Sequence, residues 1–301
     1  MARLFDAYVI ADWTAAEGKK TGDQSLWIGV VKRDVRFRLA YEGHNPATRA
    51  EGEALLRTLL ADLRKQGQRV FLGFDFPLGL PEGTAQRLQL KGDPWAAAWK
   101  FMVSNVVDKA DNTNNRFAVA AKMNRLMTDE ARPFWGAPAR FTQRWMASTK
   151  PAAGYGEIPE FRRAERAANA RKAGLKPVWQ MHGAGVTGGQ ALLGMAAARR
   201  LVDELGPSVA VWPFGTGWRK LDKADVEPLG VLVAEVHPAM FPPVKPEPGE
   251  GKTAAAVRGL AEAIARLDDK GGLAPLFAPP AGMGEADIAA VEREEGWILG
   301  A

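Results

Sequence analysis

The stretch "RVFLGFDFPLGLP", residues 69 to 81, sets an acid, Asp75, at the end of an apolar run and follows it with Pro77 and Pro81. A short apolar run stopped by proline reads as a strand buried on both faces. Burying an unpaired carboxylate at its tip costs several kcal/mol, so a partner, a proton or a metal ion is expected beside it. Upstream, "ATRAEGEALLRTLLADLRK" (47–65) puts Leu55, Leu56, Leu59, Leu60 and Leu63 at helical spacing. Further back, "FDAYVIADW" (5–13) and "SLWIGVVKR" (25–33) have strand character, and "VRFRLAYEG" (35–43) alternates with the two-residue period of a half-exposed strand. The order is β-β-β-α-β, an antiparallel meander and then a helix that returns the fourth strand parallel to the first by a right-handed crossover. The first strand also ends in acid, at Asp12. As neighbours roughly 4.8 Å apart, the two strands would bring Asp12 and Asp75 to one carboxyl-end edge, where open α/β sheets place their ligands.

Downstream the pattern breaks. Residues 83–207 are rich in Trp, Arg and Asn, with helix candidates at 114–127, 159–173 and 188–205, and read as a helical insertion or cap over the sheet edge. Strand character returns in "SVAVWPF" (208–214) and "GVLVAEVHP" (230–238). An amphipathic helix from Thr253 and a short helix within 285–299 follow, so that 1–82 and 208–301 form the core of a single elaborated α/β domain. A third acid, Glu235, closes the strand "VLVAEV", with His237 and Pro238 just beyond. Each acid alone is explained by capping a turn or pairing with an arginine. Three together repel and raise one another's pKa unless a cation sits between them, and hard divalent ions favour such an oxygen-only environment. Asp12, Asp75 and Glu235 are therefore expected to bind Mg²⁺ or Mn²⁺, against the alternative of structural ion pairs. His237 either shuttles a proton near neutral pH or caps its own turn.

The β-β-β-α-β order with Asp at the ends of strands one and four is that of the ribonuclease H-like fold. "FDFPLGLP" with "EVHPAMF" resembles the DUF429 family, described as predicted nucleases of that fold. The family forms D-x-P-x-G-L-P and E-V-H-P stand here at Asp75 to Pro81 and Glu235 to Pro238, and "ADWTAA" resembles the version in which an aromatic and a small hydroxyl residue follow the first acid. The likeness covers about 1–82 and 208–270. It implies a mixed sheet and a metal-dependent nuclease, in which carboxylates act as metal ligands and two ions assist in-line attack on a phosphodiester. The chain departs from the pattern in its final helix, where a further acid is usual. The substitutes are Asp268 and Asp269 at a helix end, or Glu292, Glu294 and Glu295 in the tail, none at the expected place.

Two glycine motifs compete with this reading. "MHGAGVTGGQALLG" (181–194) has Gly183, Gly185 and Gly188 in G-x-G-x-x-G spacing, which fits a dinucleotide fingerprint, a turn offering N–H groups to a substrate phosphate, or a plain structural turn. A fingerprint needs a βαβ unit with an acid about 20 residues on at a strand tip. Here Asp203 falls inside a predicted helix. "PEPGEGKT" (246–253), at the end of the loop 242–251, has Pro246 where a P-loop needs glycine and is rejected. Basic and aromatic residues interleave in "RFTQRW" (Arg140, Arg144, Trp145) and in residues 160–176, a mixture suited to phosphate and base contacts or else to a solvated helix face with Glu160 and Glu165. "DKADNTNNRF" (108–117) reads as a polar loop with Asn114 or Asn115 capping the next helix.

The 301 residues are 47% apolar and contain no cysteine, which excludes disulfides, thiolate metal sites and a thiol nucleophile. A formal charge of +5 suits an anionic partner, either nucleic acid or a phosphorylated small molecule. Neither a signal peptide nor a membrane span is read, so the expected location is cytoplasmic. The sequence points to a metal-dependent phosphodiester hydrolase. The alternatives are a small-molecule phosphotransfer or cofactor-biosynthesis enzyme on the same fold, and a non-catalytic ligand-binding protein with a decayed acidic site.

Overall fold

The computed structural model describes residues 3–301; Met1 and Ala2, the start of the first core segment, lie outside the described residues. Six strands, β1 (Ala7–Asp12), β2 (Trp27–Arg33), β3 (Leu39–His44), β4 (Val70–Phe74), β5 (Val209–Val211) and β6 (Val231–Glu235), form one mixed sheet in the order β3-β2-β1-β4-β6-β5. β1 runs antiparallel to β2 and parallel to β4, and β4, β6 and β5 are mutually parallel. The helix α1 (Arg49–Lys65) makes the crossover between β3 and β4. It is capped by Thr48, whose hydroxyl accepts the Glu51 N–H at 3.2 Å, while the Glu51 carboxylate reaches back one residue further to accept the Ala47 N–H at 2.9 Å.

Between β4 and β5 the chain forms α2 (Thr84–Arg87), α3 (Pro94–Asn105), α4 (Arg116–Thr128), α5 (Arg163–Ala170) and α6 (Gly188–Leu205). No strand of the sheet falls within 83–207. Beyond β5 lie α7 (Lys223–Val226), α8 (Lys252–Asp269) and α9 (Glu285–Ala290), the last running into a π-helical turn over Val291–Glu295. The near-continuous apolar runs of β1 and β4 follow from burial on both faces. Val9, Leu72, Phe74 and Val233 pack with Leu56, Leu60, Met102 and Leu192 on one side, whereas Tyr8, Ile10, Phe71 and Leu232 pack with Val257, Leu260 and Ile264 of α8 on the other.

One predicted strand is shorter than its alternation suggests. Residues 35–38 form the turn of a hairpin, leaving Val35 97% and Phe37 75% exposed. The reason is Asp34, whose carboxylate accepts the N–H groups of Arg36 and Arg38 at 2.8 and 2.9 Å and closes the turn before β3 can begin.

Candidate active site at the carboxyl edge of the sheet

β1 and β4 are in direct register, Ala11 opposite Phe74, and the Asp75 N–H donates to the Ala11 carbonyl at 3.1 Å. The two acids are therefore at adjacent positions on one edge, as expected. Both line a cleft of about 650 Å³. Among the described residues neither carboxylate accepts a hydrogen bond or pairs with a cation. Burial raises the pKa of each, and the carboxylates of Asp12 and then Glu235 push Asp75 further in the same direction. Without a cation, this pair favours holding a proton.

Glu235 ends β6 on the same edge, but its environment corrects the expectation of a third ligand. The guanidinium of Arg162 clamps it through two parallel hydrogen bonds, Nη2 to Oε1 at 2.6 Å and Nη1 to Oε2 at 2.8 Å, and the Leu78 N–H donates to Oε2 at 2.9 Å. Arg162 is 0% exposed and also holds Glu165 at 2.7 Å and the Glu295 carbonyl at 2.8 Å. Glu235 is thereby committed to a buried ion pair, the structural alternative weighed for strand-end acids. Among the described residues no three His, Asp or Glu side chains are grouped so as to hold a metal ion.

The substitute fourth acids are equally occupied. Asp268 lies near the start of β1, at the opposite end of the sheet, accepting from the Leu4 and Phe5 N–H groups and, at 2.7 Å, from the Tyr8 hydroxyl. Asp269 pairs with Arg33. Glu292 caps the Trp218 N–H, Glu294 takes those of Gly83 and Ala85, and Glu295 takes those of Glu82 and Arg163.

His237 borders the cleft, where its Nδ1 accepts the Ala239 N–H at 3.1 Å, so the turn-capping alternative is realised. Burial lowers its pKa and keeps the imidazole neutral near pH 7. Its Nε2 has no hydrogen-bond partner among the described residues.

The far wall of the cleft is the loop 182–187 and the start of α6. Gly183 and Gly185 adopt φ of +130° and +68°, which glycine tolerates best. Gly188 is needed for a different reason: a Cβ there would lie 2.3 Å from the Val178 carbonyl oxygen and 2.4 Å from that of Gln180. The apolar segment before this loop is a turn with one isolated bridge rather than a strand. The βαβ setting of a dinucleotide fingerprint is therefore missing. Thr187 makes no side-chain cap and the first turn of α6 holds no acid, so its positive end meets the cleft uncompensated. Gln190 fixes this helix to the sheet by donating to the Trp13 carbonyl at 2.6 Å.

Arg140 reaches the mouth of an adjoining cavity and pairs with Glu17 at 2.8 Å. Arg144 is not at the cleft; it pairs with Asp129 at 3.5 Å and lies 5.0 Å from the Trp145 ring centroid. Arg49, Asn112 and Arg116, not singled out from the sequence, complete the site. Buried Arg49 binds Asp108 at 2.6 and 2.7 Å and the carbonyls of Thr14 and Ala16, fixing the loop that leaves β1. Asn112 supports it by accepting the Arg49 N–H at 2.8 Å. The expected side-chain cap on α4 is not made: Asn115 holds the N-cap position but its amide oxygen accepts the Val107 N–H at 2.8 Å, and Asn114, one residue earlier, accepts the Arg116 N–H at 3.3 Å and its guanidinium at 2.9 Å. Among the described residues no helix is long and apolar enough to cross a membrane. No protein-family model, curated protein or solved structure significantly matches this chain.

Proposed function

We propose that the chain is a divalent-cation-dependent phosphodiester hydrolase of ribonuclease H-like fold, the class to which the DUF429-like motifs point. The observation that carries this reading is the pair Asp12 and Asp75, two unpartnered carboxylates side by side at the ends of parallel strands, in a cleft faced by a helix N-terminus. Their donor set fits Mg²⁺ or Mn²⁺, which commonly take one or two carboxylates and complete their shell with water and phosphate oxygens. Glu235 does not fit, which favours one ion over two.

Held by Asp12 and Asp75, such an ion supplies Lewis-acid activation of water and neutralises charge on the phosphoryl group. The carboxylates serve as ligands, not as nucleophiles. Neutral His237, with Nε2 free beside them, accepts a proton from the attacking water. The first turn of α6 offers N–H groups to phosphate oxygens. A cleft of about 650 Å³ lies within the usual range for small-ligand sites and favours a small phosphorylated molecule over a duplex.

Calorimetry of Mg²⁺ and Mn²⁺ on the full chain tests the reading, with metal-dependent hydrolysis of bis(p-nitrophenyl) phosphate followed in parallel. The expected result is one ion per chain, bound at least about tenfold more weakly by Asp75→Asn, and no hydrolysis by Asp12→Asn or Asp75→Asn. Equal ion affinity in wild type and Asp75→Asn would falsify the proposed site.

A further inference from the structure

Beside the acidic cleft is a second compartment of about 400 Å³, and the two share Thr14, His182, Gly183 and Gln190 as common walls. Its charge is opposite. Arg116, Arg140 and Lys20 line it against a single acid, Glu17. Arg116 is only 7% exposed, yet its guanidinium is half used. Nη1 binds Glu17 at 3.2 Å and Asn114 at 2.9 Å, whereas Nε is buried with no partner and Nη2 has no hydrogen bond among the described residues. The Nε–Nη2 edge is the one with which arginine grips a phosphate through two parallel bonds. Packing fixes its direction, because the guanidinium carbon lies 4.4 Å from the centroid of the Phe117 ring, which in turn stacks on Phe141 at 4.7 Å. Gly189, in the first turn of α6, lies against the same side chain, so close that a Cβ would approach Arg116 Nε to 3.3 Å.

Glu17 bridges the two arginines, at 3.2 Å from Arg116 and 2.8 Å from Arg140. Its carboxylate occupies the position between two guanidinium groups that a phosphoryl group would prefer, and it lies on the loop just after Thr14.

We propose that Arg116 and Arg140 form a second anion subsite, so that the substrate is a small phosphodiester carrying a further phosphoryl group that docks here while the scissile phosphate lies over Asp12 and Asp75. The assignment of the scissile group rests on the hydrolase reading. The anion subsite does not, and it is measured without metal or turnover.

The test is calorimetric titration of inorganic phosphate and pyrophosphate into the full chain in EDTA, with circular dichroism to verify folding. Wild type should bind both. Arg116→Lys, which keeps the charge but loses the fork, should weaken binding about tenfold. Arg140→Ala, at an exposed position that leaves folding intact, should weaken it several-fold, and Glu17→Gln should tighten it by releasing both arginines. Asp75→Asn should not weaken it. Absence of phosphate binding to wild type, or equal affinities in wild type, Arg140→Ala and Glu17→Gln, overturns the subsite. Loss of metal binding with phosphate binding intact removes the hydrolase reading and leaves the subsite standing.

Discussion

Asp12 and Asp75 make the metal-free protein sensitive to pH in a direction opposite to that of an ordinary paired carboxylate. Burial pushes the Asp12 carboxyl from 3.8 up to about 7, and Asp75 is raised well above its usual value by burial and by its neighbours. The folded state then holds a proton that the unfolded chain releases. Stability from these groups is complete below about pH 4 and is lost as pH rises through about 7. In EDTA the melting temperature should fall between about pH 5 and 8 by the equivalent of at most a few kcal/mol, and Asp75→Asn should flatten that slope while gaining about 1–3 kcal/mol at the upper end. Thermal melts across this range decide it; a wild-type curve with no slope would remove the repulsion on which the ion site depends. Both acids were legible in the sequence because an apolar strand gives a terminal carboxylate nothing local to bind. The partner of Glu235 was not. Arg162 is 73 residues away and sits beside Arg163, in a stretch where every basic residue reads as solvent-facing. Which guanidinium turns inward depends on where α5 lands on the sheet, and a single sequence does not encode that locally.

At the scale of elements, α6 forms over the same residues, 188 to 205, that its periodicity marked out. The meaning of the glycines before it was less accessible, because identical spacing serves different needs. Gly183 and Gly185 are required by backbone conformation, Gly188 by the carbonyls of Val178 and Gln180 pressed against its α-carbon. Gly188→Ala must therefore push backbone rather than a flexible side chain. It should cost about 1–3 kcal/mol and, by displacing the start of α6, also weaken phosphate binding. Gly189→Ala meets the Ala15 Cβ and Arg116 Cδ at 3.0 and 3.2 Å, a smaller overlap than the 2.3 Å at Gly188, and should be milder in stability. Denaturant titration of the two variants separates these outcomes, and a Gly188→Ala chain as stable as wild type would refute the close approach. β3 teaches the complementary lesson. Val35 and Phe37 continue the alternation of a strand, but the side chain of Asp34 satisfies the local N–H groups and a turn forms instead.

For the whole molecule, the decisive contact is again Arg162. It stands at the start of α5 and joins β6 through Glu235, its own helix through Glu165 and the C-terminal segment through the Glu295 carbonyl. That segment returns to the sheet, where the Leu299 N–H donates to the Glu235 carbonyl at 2.9 Å and Trp297 and Leu299 are buried. The helices between β4 and β5 are thus fastened to the sheet by charge as well as by apolar packing. Arg162→Met keeps the bulk but strands two buried carboxylates, so it should destabilise the chain by about 3–5 kcal/mol. Combining it with Glu165→Gln and Glu235→Gln removes the uncompensated charges and should recover part of that loss, as expected where desolvation rather than attraction sets the cost. Because the same contact links helices, sheet and tail, tryptophan fluorescence and far-ultraviolet circular dichroism should shift together in urea as one transition in every variant. Separation of the two probes in Arg162→Met, with the sheet retaining wild-type stability, would mean that the helical segment is held independently and that Glu235 needs no partner to stay buried. Coincident curves with a full recovery in the triple variant would instead show that the ion pair adds no net stability and serves to fix how α5 docks beside the acidic cleft.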